Sequence, residues 1–186
     1  TLATGVIYIT NTKAAPTFAG GNIVDAKNIT EGESAYHDPV TNAGENDVVR
    51  FRIRIVNLGD ADATNTIVRF DLNDPTSPKG IVKADGVSEQ TDFVNLSPSG
   101  SSLDFVSGSA NKYGPSCSSG CSVSDDIVSA GLNIGNVSPG DTLSYQLTIE
   151  AKVVGSPSTG DKPKFKDGNI FDGGNRTDRL ADWQDP

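Results

Sequence analysis

Two cysteines, Cys117 and Cys121, are the chain's only sulfur ligands, and they flank the short polar segment 118–120. A zinc site needs further Cys or His ligands nearby, and the surrounding sequence offers none. A free thiol pair and a disulfide both fit the spacing. Of the two we expect the disulfide, which indicates an oxidising compartment. Because the closed loop is so short, we expect it to rigidify one loop and to contribute little stability.

Acidic residues cluster at three places where carboxylate and amide oxygens could bind calcium. The three clusters are Asp60 with Asp62, Asp71 with Asn73 and Asp74, and Asp167 with Asn169 and Asp172. None has the spacing of an EF-hand loop, and solvated acidic turns explain them equally well. Asp71, Asn73 and Asp74 are the weak calcium candidates that we single out, and we expect no metal and no cofactor.

Residues for catalysis are scarce. His37 is the only histidine, in a turn-like stretch that ends at Pro39, and we expect it to be an ordinary surface residue. No nucleophile elbow, phosphate-binding loop or dinucleotide-binding glycine pattern follows a predicted strand. One Trp and four Tyr would line a glycosidase cleft poorly. We therefore predict that the protein is not an enzyme.

Four Asn-X-Ser/Thr sequons are candidate acceptors for N-linked glycans. They begin at Asn28, Asn95, Asn136 and Asn175. Several such motifs arise by chance in a chain rich in Asn, Ser and Thr. Asn28 and Asn95 are the better candidates because we expect both to lie in polar loops.

The elements that must position these residues are β-strands. In residues 49–55 apolar side chains alternate with Arg50, Arg52 and Arg54, which is the pattern of a half-buried strand. A polar turn, residues 57–65, leads to a second alternating strand at 66–72, and residues 143–153 alternate again. Shorter strands are expected at residues 22–24, 81–82, 92–94, 103–106, 127–128 and 132–134. No helical period is sustained, so the pattern predicts an all-β protein, a two-sheet antiparallel β-sandwich.

Three stretches carry a resemblance to a known family: residues 49–60, 63–72 and 132–141, the last followed by an alternating strand. Their sequences are VRFRIRIVNLGD, ATNTIVRFDL and LNIGNVSPGD. Together they resemble the Ig-like repeat of large bacterial and archaeal surface proteins that is often labelled domain of unknown function eleven. The resemblance covers about residues 47–154, although the usual proline comes late, at Pro75. It implies an Ig-like sandwich in an extracellular structural or adhesive module, without catalytic residues.

The ends of the chain lie outside this resemblance. Near the N-terminus, Val6, Ile7, Tyr8 and Ile9 form a strand candidate that is apolar on both faces and must be covered. It either pairs within its own sandwich or is an arm that completes the sheet of a neighbouring copy. We therefore predict an N-terminal arm and linker (1–46), an Ig-like β-sandwich (47–154) and an extended polar tail (155–186).

Charge narrows the choice of partners. The net charge is −9 and the pI is near 4.4, which argues against nucleic acid and against anionic membrane surfaces. No apolar run is long enough to span a membrane, and the absence of Met at position 1 leads us to expect either a removed leader or a trimmed chain. The leading hypothesis is an extracellular or cell-surface subunit that forms a pilus-like filament or surface array of identical subunits by strand addition. The alternative is an adhesive or carbohydrate-binding module whose loops contact glycans.

Overall fold

The computed structural model describes residues 15–19, 23–98, 102–140 and 145–155, all of which belong to a unit formed by residues 1–155. These residues contain twelve strands and one short 3₁₀ helix, Asp125–Val128. In chain order the strands are β1 (Val24–Asn28), β2 (Val40–Ala43), β3 (Val48–Ile55), β4 (Ala63–Asp71), β5 (Lys79–Ala84), β6 (Val87–Phe93), β7 (Leu96–Pro98), β8 (Ser102–Phe105), β9 (Asn111–Gly114), β10 (Cys117–Ser122), β11 (Leu132–Val137) and β12 (Tyr145–Val154).

The strands form two antiparallel sheets and one small parallel pair. The first sheet has the order β1-β3-β12-β9-β10, and β8 also pairs with β12. The second has the order β11-β4-β5-β6, while β2 and β7 form a separate parallel pair. The predicted all-β, two-sheet antiparallel sandwich is therefore confirmed. The predicted arm at residues 6–9 and the tail after residue 155 lie outside the described residues.

Strand β3 is the centre of the first sheet because it pairs along its length with both β1 and β12. Its alternating sequence places the three arginines on the outer face and the apolar side chains in the core, as predicted. The buried side chains are Val49, Phe51, Ile53 and Ile55, each at most 2% exposed. Period-two patterning has thus been sufficient to orient the central strand.

Gly80 of β5 marks a close approach of the two sheets. A Cβ atom built on Gly80 would lie 2.7 Å from Cγ1 of Ile53 and 3.1 Å from Cβ of Val24, both in the opposite sheet. Carbon atoms pack favourably at about 3.5–4.0 Å, so no side chain fits there. The inner face of β5 therefore requires glycine at this position.

Two sequence predictions are corrected by the fold. Residues 127–128 are not a strand but lie in the 3₁₀ helix, where Ser124 accepts a hydrogen bond from the Asp126 N–H and Ile127 is fully buried. The sandwich also begins well before residue 47, because β1 and β2 lie in the stretch assigned to an arm and linker. Only Val24 of β1 falls within the strand predicted at residues 22–24, because Asp25 and Asn28 interrupt the apolar pattern although both are buried.

Candidate interaction surfaces

A short N-terminal segment, residues 15–19, is fixed to the body beside the turn that follows β3. Phe18 forms a β-bridge with Asn57 and is only 5% exposed within the core. The Leu58 N–H donates to the Thr17 carbonyl at 2.7 Å. A Cβ atom on Gly59 would collide with the backbone of this segment, so the segment and the turn are in direct backbone contact. The chain that precedes residue 15 therefore starts from a defined position on the sandwich.

Asn57 holds this junction together with four side-chain hydrogen bonds. Its Oδ1 accepts from the backbone N–H groups of Thr17 and Gly59, each at 3.1 Å. Its Nδ2 donates to the carbonyls of Ala61 at 2.8 Å and Val137 at 2.9 Å. Because Asn57 is fully buried, it uses its bonding capacity to join the N-terminal segment, the β3–β4 turn and the end of β11.

The outer edge of β1 is closed by other parts of the chain. Its three outward N–H groups have acceptors: the Asp92 carboxylate for Val24 (3.3 Å), the His37 carbonyl for Ala26 (3.0 Å) and the Glu33 carboxylate for Asn28 (2.7 Å). Unpaired edges are templates for association with other chains, and this one leaves no free donor. The predicted surface residue His37 is indeed exposed, and its backbone helps to cover this edge.

The edges of β10 and β11 are irregular. In β10 the sulfur atoms of Cys117 and Cys121 lie at disulfide distance, and the pairing with β9 shifts register between these two residues. In β11 the register with β4 shifts twice, on either side of Gly135, which has φ 86°. Bulges of this kind twist an edge away from a straight incoming strand. Both edges are poor templates for strand addition.

The edge of β6 is also irregular at its start, because its pairing with β5 shifts register between Val87 and Gln90. Val94, just after β6, donates its N–H to the Pro78 carbonyl at 3.0 Å, which shows that even-numbered residues here turn their backbone groups toward β5. Since successive residues alternate, the N–H and C=O of Thr91 point away from β5. In the described part of the chain, no strand pairs with residues 87–91 on that side.

Beyond Phe93 the same edge is covered. Val40 donates its N–H to the Asn95 carbonyl at 2.9 Å, and Asn95 donates its N–H to the Asp38 carboxylate at 2.8 Å. The open part of the edge is therefore limited to the residues before Asp92. Phe93 lies at its end and is 47% exposed.

The outer face of the first sheet carries paired charges. The Arg50 guanidinium contacts Glu150 of β12, with Nε 3.0 Å from Oε1. Arg52 forms a two-point contact with Asp25 of β1, with Nε 2.7 Å from Oδ1, and the Arg54 guanidinium lies 3.6 Å from the same carboxylate. Two-point pairs of this kind fix the geometry of the guanidinium groups. The alternation that buries the core thus also builds a ladder of paired charges across three strands.

Tyr36, in the loop between β1 and β2, lies over this ladder. The centre of its ring is 3.9 Å from the guanidinium carbon of Arg52 and 4.8 Å from Nζ of Lys27. Burial raises the pKa of the Tyr36 hydroxyl, while Arg50 and Arg52 partly oppose that rise. The loop therefore presents an aromatic ring and several donors on one surface.

The calcium candidates serve as local turn caps. Oδ1 of Asp71 accepts from the backbone N–H (3.1 Å) and the side-chain amide (2.7 Å) of Asn73. Oδ1 of Asp74 accepts from the Thr76 N–H (3.0 Å) and hydroxyl (2.8 Å), and these bonds lower the pKa of Asp74. Within the residues that the structure describes, no three His, Cys, Asp or Glu side chains converge as metal ligands.

The sequons occupy contrasting positions. Asn28 is fully buried, and its Nδ2 donates to the Asp47 carboxylate at 2.7 Å, so the expectation that it lies in a polar loop is wrong. A glycan on that nitrogen would break the bond. Asn95 and Asn136 are exposed and keep their candidacy, while Asn175 lies outside the described residues.

Sequence reasoning did not find the Tyr36 cluster or the open edge of β6. Tyr36 is far in sequence from Arg52, and only the pairing of β1 with β3 brings the loop over the sheet. Strand β6 is polar on both faces, so it has no apolar period. The turn Asp85–Gly86, where Gly86 has φ 68°, was a usable signal for a hairpin.

Comparisons with known proteins add no relative. No known protein family matches the sequence, and searches of curated proteins and solved structures found no significant match. The resemblance to the Ig-like surface repeat therefore stays a prediction. Among the described residues, no helix has the length and apolar character needed to cross a membrane.

Proposed function

We propose that this protein is an extracellular structural subunit that joins identical copies into a filament or surface array. In this proposal the strand formed by Val6, Ile7, Tyr8 and Ile9 adds to a sheet of the neighbouring copy. The observation that carries the proposal is the anchored segment 15–19, which starts the arm from a defined position on the body.

The length of the chain supports such an arm. Residues 10–14 lie between the strand and the anchor, and five extended residues span up to about 17 Å. Exposing apolar side chains on both faces of a strand to water is unfavourable, and covering them lowers the free energy. Strand addition supplies that cover and also pairs the backbone groups of both partners.

An extracellular location agrees with two features of the body. Cys117 and Cys121 lie at disulfide distance, and structural disulfides persist in oxidising compartments. Asn95 and Asn136 are exposed sequon positions that a glycosylating host could modify. Both features support a surface protein without being required for assembly.

Deletion of residues 1–11 tests the arm while leaving the anchor in place. We expect assembly, followed by light scattering and electron microscopy, to be lost while the thermal melt of the body is retained. A matched variant of full length, with Val6, Ile7, Tyr8 and Ile9 all replaced by Ser, should fail in the same way. Polymers that form normally from either variant would refute the arm mechanism.

The second candidate function is a binding module for glycans, and the Tyr36 loop favours it. An aromatic ring beside guanidinium and ammonium groups offers stacking and hydrogen bonds to a sugar. A glycan array with wild-type monomer and with Tyr36→Ala separates the two functions. Binding that depends on Tyr36, in a protein that stays monomeric at high concentration, would favour the adhesive function.

A further inference from the structure

We infer that the outer face of the first sheet binds an acidic glycan, a polysaccharide that carries carboxylate or sulfate groups. This inference rests on the second candidate function, glycan binding, and adds the class of sugar and the surface that takes it. It does not depend on assembly through the arm.

The strand registers place the polar side chains of this face in rows that cross the sheet. Residues directly opposite each other on paired strands share a face. The arginines of β3 therefore lie beside the residues that face them on β1 and β12. One row is Lys27, Arg50 and Glu150, and the next is Asp25, Arg52 and Thr148. Every side chain in these rows carries hydrogen-bonding groups.

The face has an excess of positive charge in an acidic protein. Lys27 and the three arginines of β3 lie there with only two carboxylates, Asp25 and Glu150. The adjoining row adds no net charge, because Lys152 lies opposite Asp104 of β8. The whole chain has a net charge of −9, so the positive excess is local. Complementarity of charge favours an anionic ligand at this surface.

The guanidinium groups of Arg50 and Arg52 are held in place and still have a donor to offer. Each turns Nε and Nη2 toward one carboxylate, that of Glu150 for Arg50 and that of Asp25 for Arg52. In the described part of the chain, Nη1 of these two arginines donates to no acceptor. A planar guanidinium that is already fixed loses little freedom on binding a second anion. The two carboxylates thus orient these donors for a ligand.

Thr148 gives an independent indication of a ligand. It lies on the same face, opposite Arg52, yet it is only 4% exposed. Its hydroxyl has no hydrogen-bond partner among the residues that the structure describes. A buried hydroxyl without a partner is unfavourable, and the large majority of buried polar groups have one. A hydroxyl or carboxylate of a bound sugar would supply the partner.

The outer face of the second sheet lacks this combination. It carries Arg69, Lys79 and Lys83 together with Asp71 and Glu89, so its positive excess is smaller. Its polar side chains are all at least partly exposed, and none of them is buried without a partner. Charge and buried polar groups therefore both select the first sheet.

The composition of the face favours a sugar over a protein. Cores of protein–protein interfaces are depleted in charged residues, whereas charged side chains dominate these rows. In the third row, Gln146 lies between Arg54 and Tyr113, which adds an amide and a phenol. A Cβ atom on Gly120 would lie 2.7 Å from Cε1 of Tyr113, so β10 packs directly against this ring. Fixed amide, hydroxyl and guanidinium groups suit the many hydroxyls of a polysaccharide.

Biolayer interferometry with matched polysaccharides tests the class of ligand. One arm compares polygalacturonate with its methyl ester, and the other compares dextran sulfate with dextran. We expect at least one charged polymer to bind about tenfold or more tightly than its neutral counterpart, because hydrogen bonds to charged groups are the stronger ones. Equal affinities within both pairs would overturn the acidic class and leave glycan binding intact. Binding to neither charged polymer would also overturn the inference.

Matched variants locate the site. Lys27→Gln removes a cation whose Nζ donates to the Ser34 carbonyl and to no carboxylate in the described residues, and it should weaken binding about tenfold. Lys83→Gln removes an equal charge from the second sheet and should have little effect. Thr148→Val keeps the shape of the side chain and should weaken binding at an unchanged Tm, with Thr91→Val on the second sheet as its control. Equal losses from the two lysine variants would show attraction to overall charge and would overturn the assignment of the face.

Failure of this inference is distinguishable from failure of the proposed functions. Binding that needs Tyr36, but is indifferent to Lys27→Gln and to the charge of the sugar, would retain the glycan module and reject the acidic ligand. Polyglutamate that competes as well as polygalacturonate would show recognition of charge alone and would reject a glycan. If Thr148→Val does not fold, the pair of lysine variants decides the case. Assembly is tested by a different change, the deletion of residues 1–11, and by a different readout.

Discussion

Replacing Asn57 by Ala should destabilise the sandwich more than any exposed asparagine does. The change removes four hydrogen bonds and leaves the carbonyl of Val137 without this donor in a buried environment. One bond contributes about 0.5–1.5 kcal/mol net, and three of the four are only partly buried, so we expect a loss of about 2–4 kcal/mol. For a domain of this size that corresponds to a fall in Tm of roughly 10 °C.

Thermal unfolding followed by circular dichroism measures this loss, and hydrogen exchange shows where it occurs. The Thr17 amide should exchange faster in Asn57→Ala, because its acceptor has gone. Asn57→Asp keeps both acceptor contacts and loses both donors. The Thr17 amide should therefore exchange more slowly in Asn57→Asp than in Asn57→Ala. Asn136→Ala, on an exposed residue, should change stability by less than about 0.5 kcal/mol. The reasoning is refuted if Asn57→Ala melts within about 2 °C of wild type.

Three further predictions concern packing, pH and calcium. Gly80→Ala should lower the free energy of unfolding, measured with denaturant, by about 1–3 kcal/mol. Gly140→Ala should not, because a Cβ atom there meets nothing within 4 Å. Equal effects of the two changes would contradict the close approach of the sheets at Gly80. The pKa of Tyr36 is raised in the folded state, so its protonated hydroxyl stabilises the fold. This contribution to the free energy of unfolding is complete below the unfolded pKa of about 10 and is lost as pH rises through the folded pKa. Alkaline stability should therefore fall less steeply in Tyr36→Phe, and an unchanged slope would contradict this. Calcium should not alter the Tm difference between wild type and Asp71→Asn, because the Asp71 carboxylate caps a turn. A difference in Tm that depends on calcium would instead support a metal site at Asp71.

The central strands were predictable because one physical rule controls them. In β3 and β12 each side chain either faces the core or faces water, so a period of two in the sequence reports the fold directly. The rule fails where the buried side chains are polar. Asp25 is buried because Arg52 pairs with its carboxylate, and Asn28 because its amide bonds to Asp47. In a sequence such polar residues indicate a loop, although here they help to form β1.

The candidate surfaces depend on what lies beside a strand, and no local pattern encodes that. The sequence of β6 shows polar residues, but within the described residues its outer edge is unpaired because β5 occupies one side and the cover by residues 38–40 ends beyond Phe93 on the other. In contrast, β1 is closed by Asp92, which lies 68 residues away from Val24. The same carboxylate that ends the open edge of β6 therefore seals the edge of β1. Asp92→Ala should therefore free the Ile23 and Val24 N–H groups at one end of β1, while His37 and Glu33 still accept from the Ala26 and Asn28 N–H groups. Hydrogen exchange should then become faster at Val24 and stay slow at Ala26, and an unchanged rate at Val24 would argue that the Asp92 carboxylate does not close this end of β1.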